Sequence, residues 1–369
     1  MMSGHICIYS KKRFDDTTLN SGDHIILSSI GGKQKLPKSY VSHEVNNGFS
    51  NLEGIFIKKS IYAMPRQFNG PGKRGSMAES KASKQICILG LDSPDRMGLG
   101  YIKMGKPYYI HQFIVESPLI KGSNPVQVSL NSEETMGIGQ KEYVKLTDKF
   151  LEKFKKHKDL SLHILLIECE IPSGKFMFGE MDDKFYLAVH SEHEIKAALD
   201  SLELMQKRDL TNRTEGKSIV SDGIKANQTL EFNDDIKRII GKMAFNFLAF
   251  KKGPEFILDD KFDGIRRWIY KGDIKNQYVS ENISEINLKE NLGNRADIHY
   301  IVIEYINSKL IAKVNIYGIM EYIVDFSPYY DWNMKEKEQF EIICDFKNGR
   351  EYYSLKEYSE GLIKQNLNK

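Results

Sequence analysis

The stretch SGDHIILSSIGG, residues 21–32, sets an Asp-His pair ahead of a short apolar run and closes it with two glycines. Taken alone, Asp23-His24 reads either as the metal-and-base end of a nucleolytic site or as a polar pair where a loop enters a strand. The glycine pair reads as a turn. Working outward, HICIYS (5–10) is a short apolar piece upstream, and GGKQKLPKSY (31–40) is a turn-rich piece downstream. A helix is predicted over 41–64, VSHEVNNGFSNLEGIFIKKSIYAM.

Read whole, CIYSKKRFDDTTLNSGDHIILSSIGGKQKLPKSYVSHEVNNGFSNLEGIF (7–56) resembles the HNH (ββα-metal) nuclease module. The matching variety reads Cys-x-x-Cys, then Asp/Glu-His-Ile, then Gly-Gly, then Cys-x-x-Cys-Asn-Asn. Asp23-His24-Ile25, Gly31-Gly32 and Asn46-Asn47 keep that order and spacing. The resemblance implies an N-terminal ββα-metal module and a metal-dependent DNA endonuclease or nickase. It makes His24 the general base and Asp23 and Asn46 the ligands of Mg²⁺ or Mn²⁺. Asn47 would fix the loop by hydrogen bonds. The chemistry asks for these residue types: a neutral imidazole is the natural base near pH 7. A hard cation accepts a carboxylate and an amide oxygen while stabilising the leaving oxygen.

The departures concern the zinc staple. The first Cys pair reads Cys7-Ile-Tyr-Ser10 and the second Ser42-His-Glu-Val45, so three of four thiolates are replaced by residues that cannot ligate zinc in their place. A structural zinc is therefore expected to be absent. The one improvised alternative is His5, Cys7 and His43, which makes His43 a supporting residue. A mini-core of Ile6, Ile8, Phe14, Ile25, Ile26, Ile30, Val41, Val45, Phe49 and Leu52 stands in for the metal. The Asn that usually precedes the second Cys pair has no equivalent among Pro37, Lys38, Ser39 and Tyr40. In the family that Asn holds the catalytic His.

Beyond the module, NGPGKRGS (69–76) places Lys73 and Arg74 between glycines, where they read as phosphate contacts or as a solvated linker. Lys58, Lys59 and Arg66 would extend that basic edge towards DNA, with double-stranded DNA the expected partner. Net charge is only +3, with 53 basic against 50 acidic residues, so any nucleic-acid claim rests on local patches. KFLEKFKKHK (149–158) reads as a solvated lysine face, and Arg266 and Arg267 as salt-bridged structure or part of a DNA face. Asp259, Asp260 and Asp263 read as ordinary acids at a helix start. His190-x-x-His193 reads as a cap region.

The expected fold class is α+β: the module at 1–64, a basic linker at 65–84, a middle α/β region at 85–220, and a C-terminal α/β region at 221–369 ending in an antiparallel meander. Strands are predicted in QICILGL (85–91), YYIHQFIVE (108–116) and HILLIECEI (163–171), with helices over 142–158 and 191–208, the latter opening on a Ser-x-x-Glu capping box. The clearest helix carries Ile236, Ile239, Ile240, Met243, Ala244, Phe247 and Leu248 at three- and four-residue steps behind an Asn233-Asp234 cap. Residues 299–326 alternate at period two around Asn307-Ser308. Cys7, Cys87, Cys169 and Cys344 form no CxxC and read as free thiols. The sequence has no membrane-length apolar run and no signal-peptide pattern at its start, so a cytoplasmic protein is the default. Modules of this kind often serve host–phage conflict. The rival expectation is a decayed HNH fold that binds DNA, or regulates a protein partner or oligomer, without cutting.

Overall fold

Asn307 and Ser308 both take left-handed backbone angles (φ 48° and 64°) and join Ile298–Ile306 to Lys309–Ile316 in a tight hairpin. Two-residue turns of this hand match the twist of paired strands. The computed structural model describes residues 4–15, 19, 22–90, 97–116, 126–156, 162–166, 174–207, 225–227, 232–282, 297–326 and 338–367. Among them the chain is α+β, with an antiparallel meander towards its C-terminus. It divides into two units, residues 1–83 with 230–369, and residues 84–229.

The first unit is discontinuous, which the expected boundary at 64/65 does not provide for. Its six-stranded sheet runs Val279–Asn282, Met320–Asp325, Lys309–Ile316, Ile298–Ile306, Phe340–Asp345 and Arg350–Tyr352, every pairing antiparallel. Side chains alternate between its faces. Ile301 and Ile303 join the main core with helix Asp234–Lys252. Tyr300 and Val302 pack instead with Ile343 and with Tyr358 of the C-terminal helix Leu355–Leu367. The N-terminal residues Ile8, Ile25, Ile26, Ile30, Val45 and Phe49 belong to that same main core. Ile6, expected to join them, is exposed. Their apolar surface is covered by the C-terminal half of the chain, so the first 64 residues do not close a core by themselves.

Helix Asp234–Lys252 is capped as expected, the Asn233 side chain accepting from the amides of Asp235 and Ile236, and it stops at Gly253 (φ 86°) before Pro254. Unlike an ordinary surface helix it is buried on nearly every side between Ile236 and Ala249, including Arg238, Lys242 and Asn246. The helix predicted over 41–64 is broken into His43–Gly48 and Ser50–Lys59, and a third helix, Ala63–Asn69, occupies what reads as linker.

In the second unit a five-stranded sheet runs Val126–Ser129, His111–Glu116, Lys175–Met181, Lys184–Val189 and Leu162–Leu166, the last pair parallel. Phe113, Val115, Phe176 and Phe178 face the helices Gln140–Lys156 and Ile195–Lys207. Ile114 and Met177 pack with a four-stranded sheet of Lys225–Asn227, Ile86–Gly90, Met97–Lys103 and Lys106–Tyr109. YYIHQFIVE is split between the two sheets at Ile110, and HILLIECEI is strand over Leu162–Leu166, its remainder lying outside the described residues. The Ser191 side chain makes no cap bond, and Glu194 accepts from the Gly174 amide (3.2 Å), so the capping box is not formed. No described helix is long and apolar enough to cross a membrane.

Candidate functional site

His24 pairs with Lys35 across a single β-bridge, and the hairpin is held by Ile25 N–H to Gln34 O (3.0 Å) and Leu36 N–H to Asp23 O (2.8 Å). Its far end is the turn Ser28–Ile30 followed by Gly31 and Gly32. Both glycines are required. Gly31 has φ 102° and a Cβ there would lie 2.3 Å from the Phe346 side chain; at Gly32 it would lie 1.8 Å from Ile26 O. The turn is fastened to the sheet by His299, whose Nε2 donates to Ile30 O (2.9 Å) while Nδ1 accepts from Tyr317 N (3.1 Å). His299 is fully buried and stacked on Phe346, and burial pulls its pKa to about 3, which fixes it as neutral.

Asp23 sits where this hairpin meets the buried helix. It is 4% exposed, and its two oxygens receive the Lys242 ammonium at 2.8 and 2.7 Å. Asn246 Nδ2 donates to the second oxygen at 3.0 Å and to His24 O at 2.9 Å. Tyr9 Oη donates to Asn246 Oδ1 (2.7 Å), which sets the amide's orientation. Glu53 also meets the Lys242 ammonium, at 3.1 Å, and the Phe49 ring lies 5.1 Å from it. Burial disfavours the charge on Lys242, but Asp23 and Glu53 outweigh it and its pKa is raised. Partial burial, opposed by Lys242, raises that of Glu53.

His24 itself is half-buried. Desolvation, then the nearby Lys35, lower its pKa to about 4 against the pull of Asp23, so the imidazole is neutral at pH 7. Asn46 is half-buried in the first turns of the helix that Ser42 caps, its amide bonded to Ser42 O (3.0 Å). Asn47 and His43 are exposed and bond each other, Nδ2 to Nε2 at 2.8 Å, one helical turn apart. Asn47 thus ties the helix surface to itself, and His43 is committed to it. Cys7 is buried, and the His5 ring lies 5.5 Å from that of Phe14.

The resemblance implies a divalent cation held by Asp23 and Asn46, and the donors around Asp23 do not fit one. Both carboxylate oxygens are taken by an ammonium and an amide. A Mg²⁺ ion needs an oxygen at about 2.1 Å and several waters of its own, and a 4% exposed carboxylate with Lys242 against it leaves neither. Among the described residues no three His, Cys, Asp or Glu side chains converge as a metal-binding group.

Arg66, expected on a DNA-binding edge, is buried and structural. Its guanidinium donates to Ser29 O (2.9 Å), Ser83 Oγ (2.8 Å) and Gly72 O (3.2 Å), clamping the hairpin turn to the loop that follows. Five N–H donors in a fixed fork suit this three-way contact. The loop it holds is the basic one: Lys73–Gly75 forms a 3-10 turn with both cations exposed, and a Cβ on Gly75 would meet Ser28 O at 2.9 Å. Lys73 and Arg74 therefore stand beside the tip of the His24 hairpin. Lys58 and Lys59 are exposed at the end of helix Ser50–Lys59.

Other basic residues are structurally employed. Arg266 is buried, donating to Ile8 O (2.6 Å) and Ile257 O (2.5 Å) and pairing with Asp263. Arg267 makes a bidentate pair with Asp273. Lys11 binds Asp260 and Asp263. In the second unit Lys153 binds Glu180 and Asp183, both at 2.8 Å.

Two signals in the sequence point to this site beyond the motif itself. Lys242 and Asn246 lie one turn apart inside KMAFNFLAF, on a helix whose other positions there are apolar, and charged or amide side chains at such places need partners. Residues 1–83 also carry twelve lysines and arginines against six aspartates and glutamates, an excess twice that of the whole chain. No protein-family model matches the chain, and no curated protein or solved structure matches it.

Proposed function

We propose that the chain is a DNA-binding protein of HNH type that holds its target through phosphate contacts and does not rely on a bound metal at Asp23. The observation that carries this reading is the pairing of an exposed basic loop with the tip of a rigid hairpin: Lys73 and Arg74 project next to Ser28–Gly31, held there by Arg66. Exposed cations placed by a buried clamp are the arrangement that phosphate recognition uses, since backbone contacts position a duplex without reading its sequence. Lys58 and Lys59 add to the same basic segment. Electrophoretic mobility shifts or fluorescence anisotropy with unrelated duplexes tests it. Similar affinities for unrelated sequences, falling steeply with salt, are expected; no binding at low salt removes the proposal.

A second reading, phosphodiester cleavage with His24 as the base, is favoured by one observation. The His24 side chain is half-exposed, and its backbone carbonyl is pinned by Asn246. A general base contributes about 10²–10⁴ in rate. Plasmid nicking in Mg²⁺ or Mn²⁺ that His24→Ala abolishes, with DNA affinity intact, replaces the first reading by this one.

A further inference from the structure

The place implied for a divalent ion is taken by a side chain, and this carries an inference that rests on the metal-independent reading above. We propose that the Lys242 ammonium is the protein's own resident cation at the Asp23–Glu53 pair, and that it keeps divalent metals from the Asp23–His24 corner. Lys242 Nζ lies within 2.7–3.1 Å of oxygens on both carboxylates, is fully buried, and has the Phe49 ring as a further wall. Asn246 also occupies Asp23, bonding its second oxygen at 3.0 Å. The ammonium comes from the buried stretch of its helix, so it cannot swing away as a surface lysine would. Covalent attachment also gives it a local concentration that a free ion must compete against. A lysine is monovalent, so two carboxylates share one positive charge; burial, with Asp23 adding to it, raises the pKa of Glu53 against the opposing pull of Lys242.

The arrangement distinguishes two substitutions. Lys242→Ala removes the charge and leaves space between Asp23 and Glu53, both acidic oxygen donors of the kind Mn²⁺ accepts. Lys242→Met removes the charge but fills the space with an apolar chain of similar length.

The experiment is thermal unfolding of the full chain with increasing Mn²⁺, together with Mn²⁺ binding followed by electron paramagnetic resonance. The unmodified protein is expected to show neither a shift in midpoint nor stoichiometric Mn²⁺. Lys242→Ala should gain a midpoint that rises with Mn²⁺ concentration, as a ligand of the folded state requires; Lys242→Met should not. If Lys242→Ala is unfolded without metal, the same expectation reads as Mn²⁺-dependent recovery of its circular dichroism. Stoichiometric Mn²⁺ on the unmodified protein that Asp23→Asn abolishes overturns the proposal. So does a Lys242→Ala protein that responds to Mn²⁺ no more than Lys242→Met. Loss of DNA binding in chelator would instead count against the functional reading, and leaves these Mn²⁺ outcomes to be judged by themselves.

Discussion

Lys242 and the Lys73-Arg74 turn carry the same sign of charge in one unit of the molecule, and their surroundings give them opposite work. Lys242 is fully buried, met by two carboxylates and an aromatic ring. Lys73 and Arg74 are exposed on a short turn beside a hairpin tip. A buried charge is bound to its partners because leaving it unpaired costs several kcal/mol, whereas an exposed cation is screened and free to exchange water for phosphate. Burial, then, separates the cation that holds the fold from those that face solvent.

The comparison breaks most readily at Asp23. Asp23→Ala leaves Lys242 buried against Glu53 alone, and removing one partner of a buried pair costs about 3–5 kcal/mol; urea unfolding should show this as a large fall in midpoint. A change of under about 1 kcal/mol would mean that water reaches Lys242 and that the site is open. Next is Arg66→Ala, which strands three acceptors and should cost about 2–3 kcal/mol. It should also weaken DNA binding by releasing the basic loop. Arg66→Lys should restore little, one ammonium being unable to span the three oxygens.

Acid tests the neutral side of the same unit. His299 has a folded pKa of about 3 against about 6.5 unfolded, so the unfolded chain binds a proton that the folded chain refuses. Stability from this group is fully present well above pH 6.5 and declines as pH falls, by roughly 1–2 kcal/mol between pH 6.5 and 5. His24, at about 4, acts in the same direction. His299→Gln keeps a donor for Ile30 O and an acceptor for Tyr317 N, and should flatten that part of the pH profile; an unchanged slope would assign it to other groups.

The smallest effect on stability belongs to Lys73→Ala with Arg74→Ala, within about 0.5 kcal/mol. Its effect on DNA is selective: the salt slope should drop by about one for each phosphate left without its cation, uniformly across sequences. An unchanged slope would return the turn to the role of a solvated loop.

Much of the scaffold was legible because its signals are local. The 299–326 meander announces itself through period-two alternation about Asn307-Ser308, and helix Asp234–Lys252 through its apolar steps and Asn233 cap. Residue pairs distant in sequence were not legible. Asp23 and Lys242 are brought together by a core that residues 1–64 share with the C-terminal half, and no spacing rule connects them. Arg66 reads as one more cation on a basic edge until its three carbonyl and hydroxyl partners are seen. Asn47 and His43, four residues apart, could have been paired from helical spacing alone. The Asp-His motif is visible in sequence; whether its carboxylate is free is a property of burial.

The most direct measurement is DNA affinity of the unmodified protein by fluorescence anisotropy, taken at matched ionic strength in EDTA and in Mg²⁺. A protein whose Asp23 is already paired with Lys242 and whose grip comes from exposed cations should bind in EDTA at least as well as in Mg²⁺, and leave the duplex intact. Binding that disappears in EDTA, or strand cleavage that appears in Mg²⁺ and is lost in His24→Ala, would contradict the account.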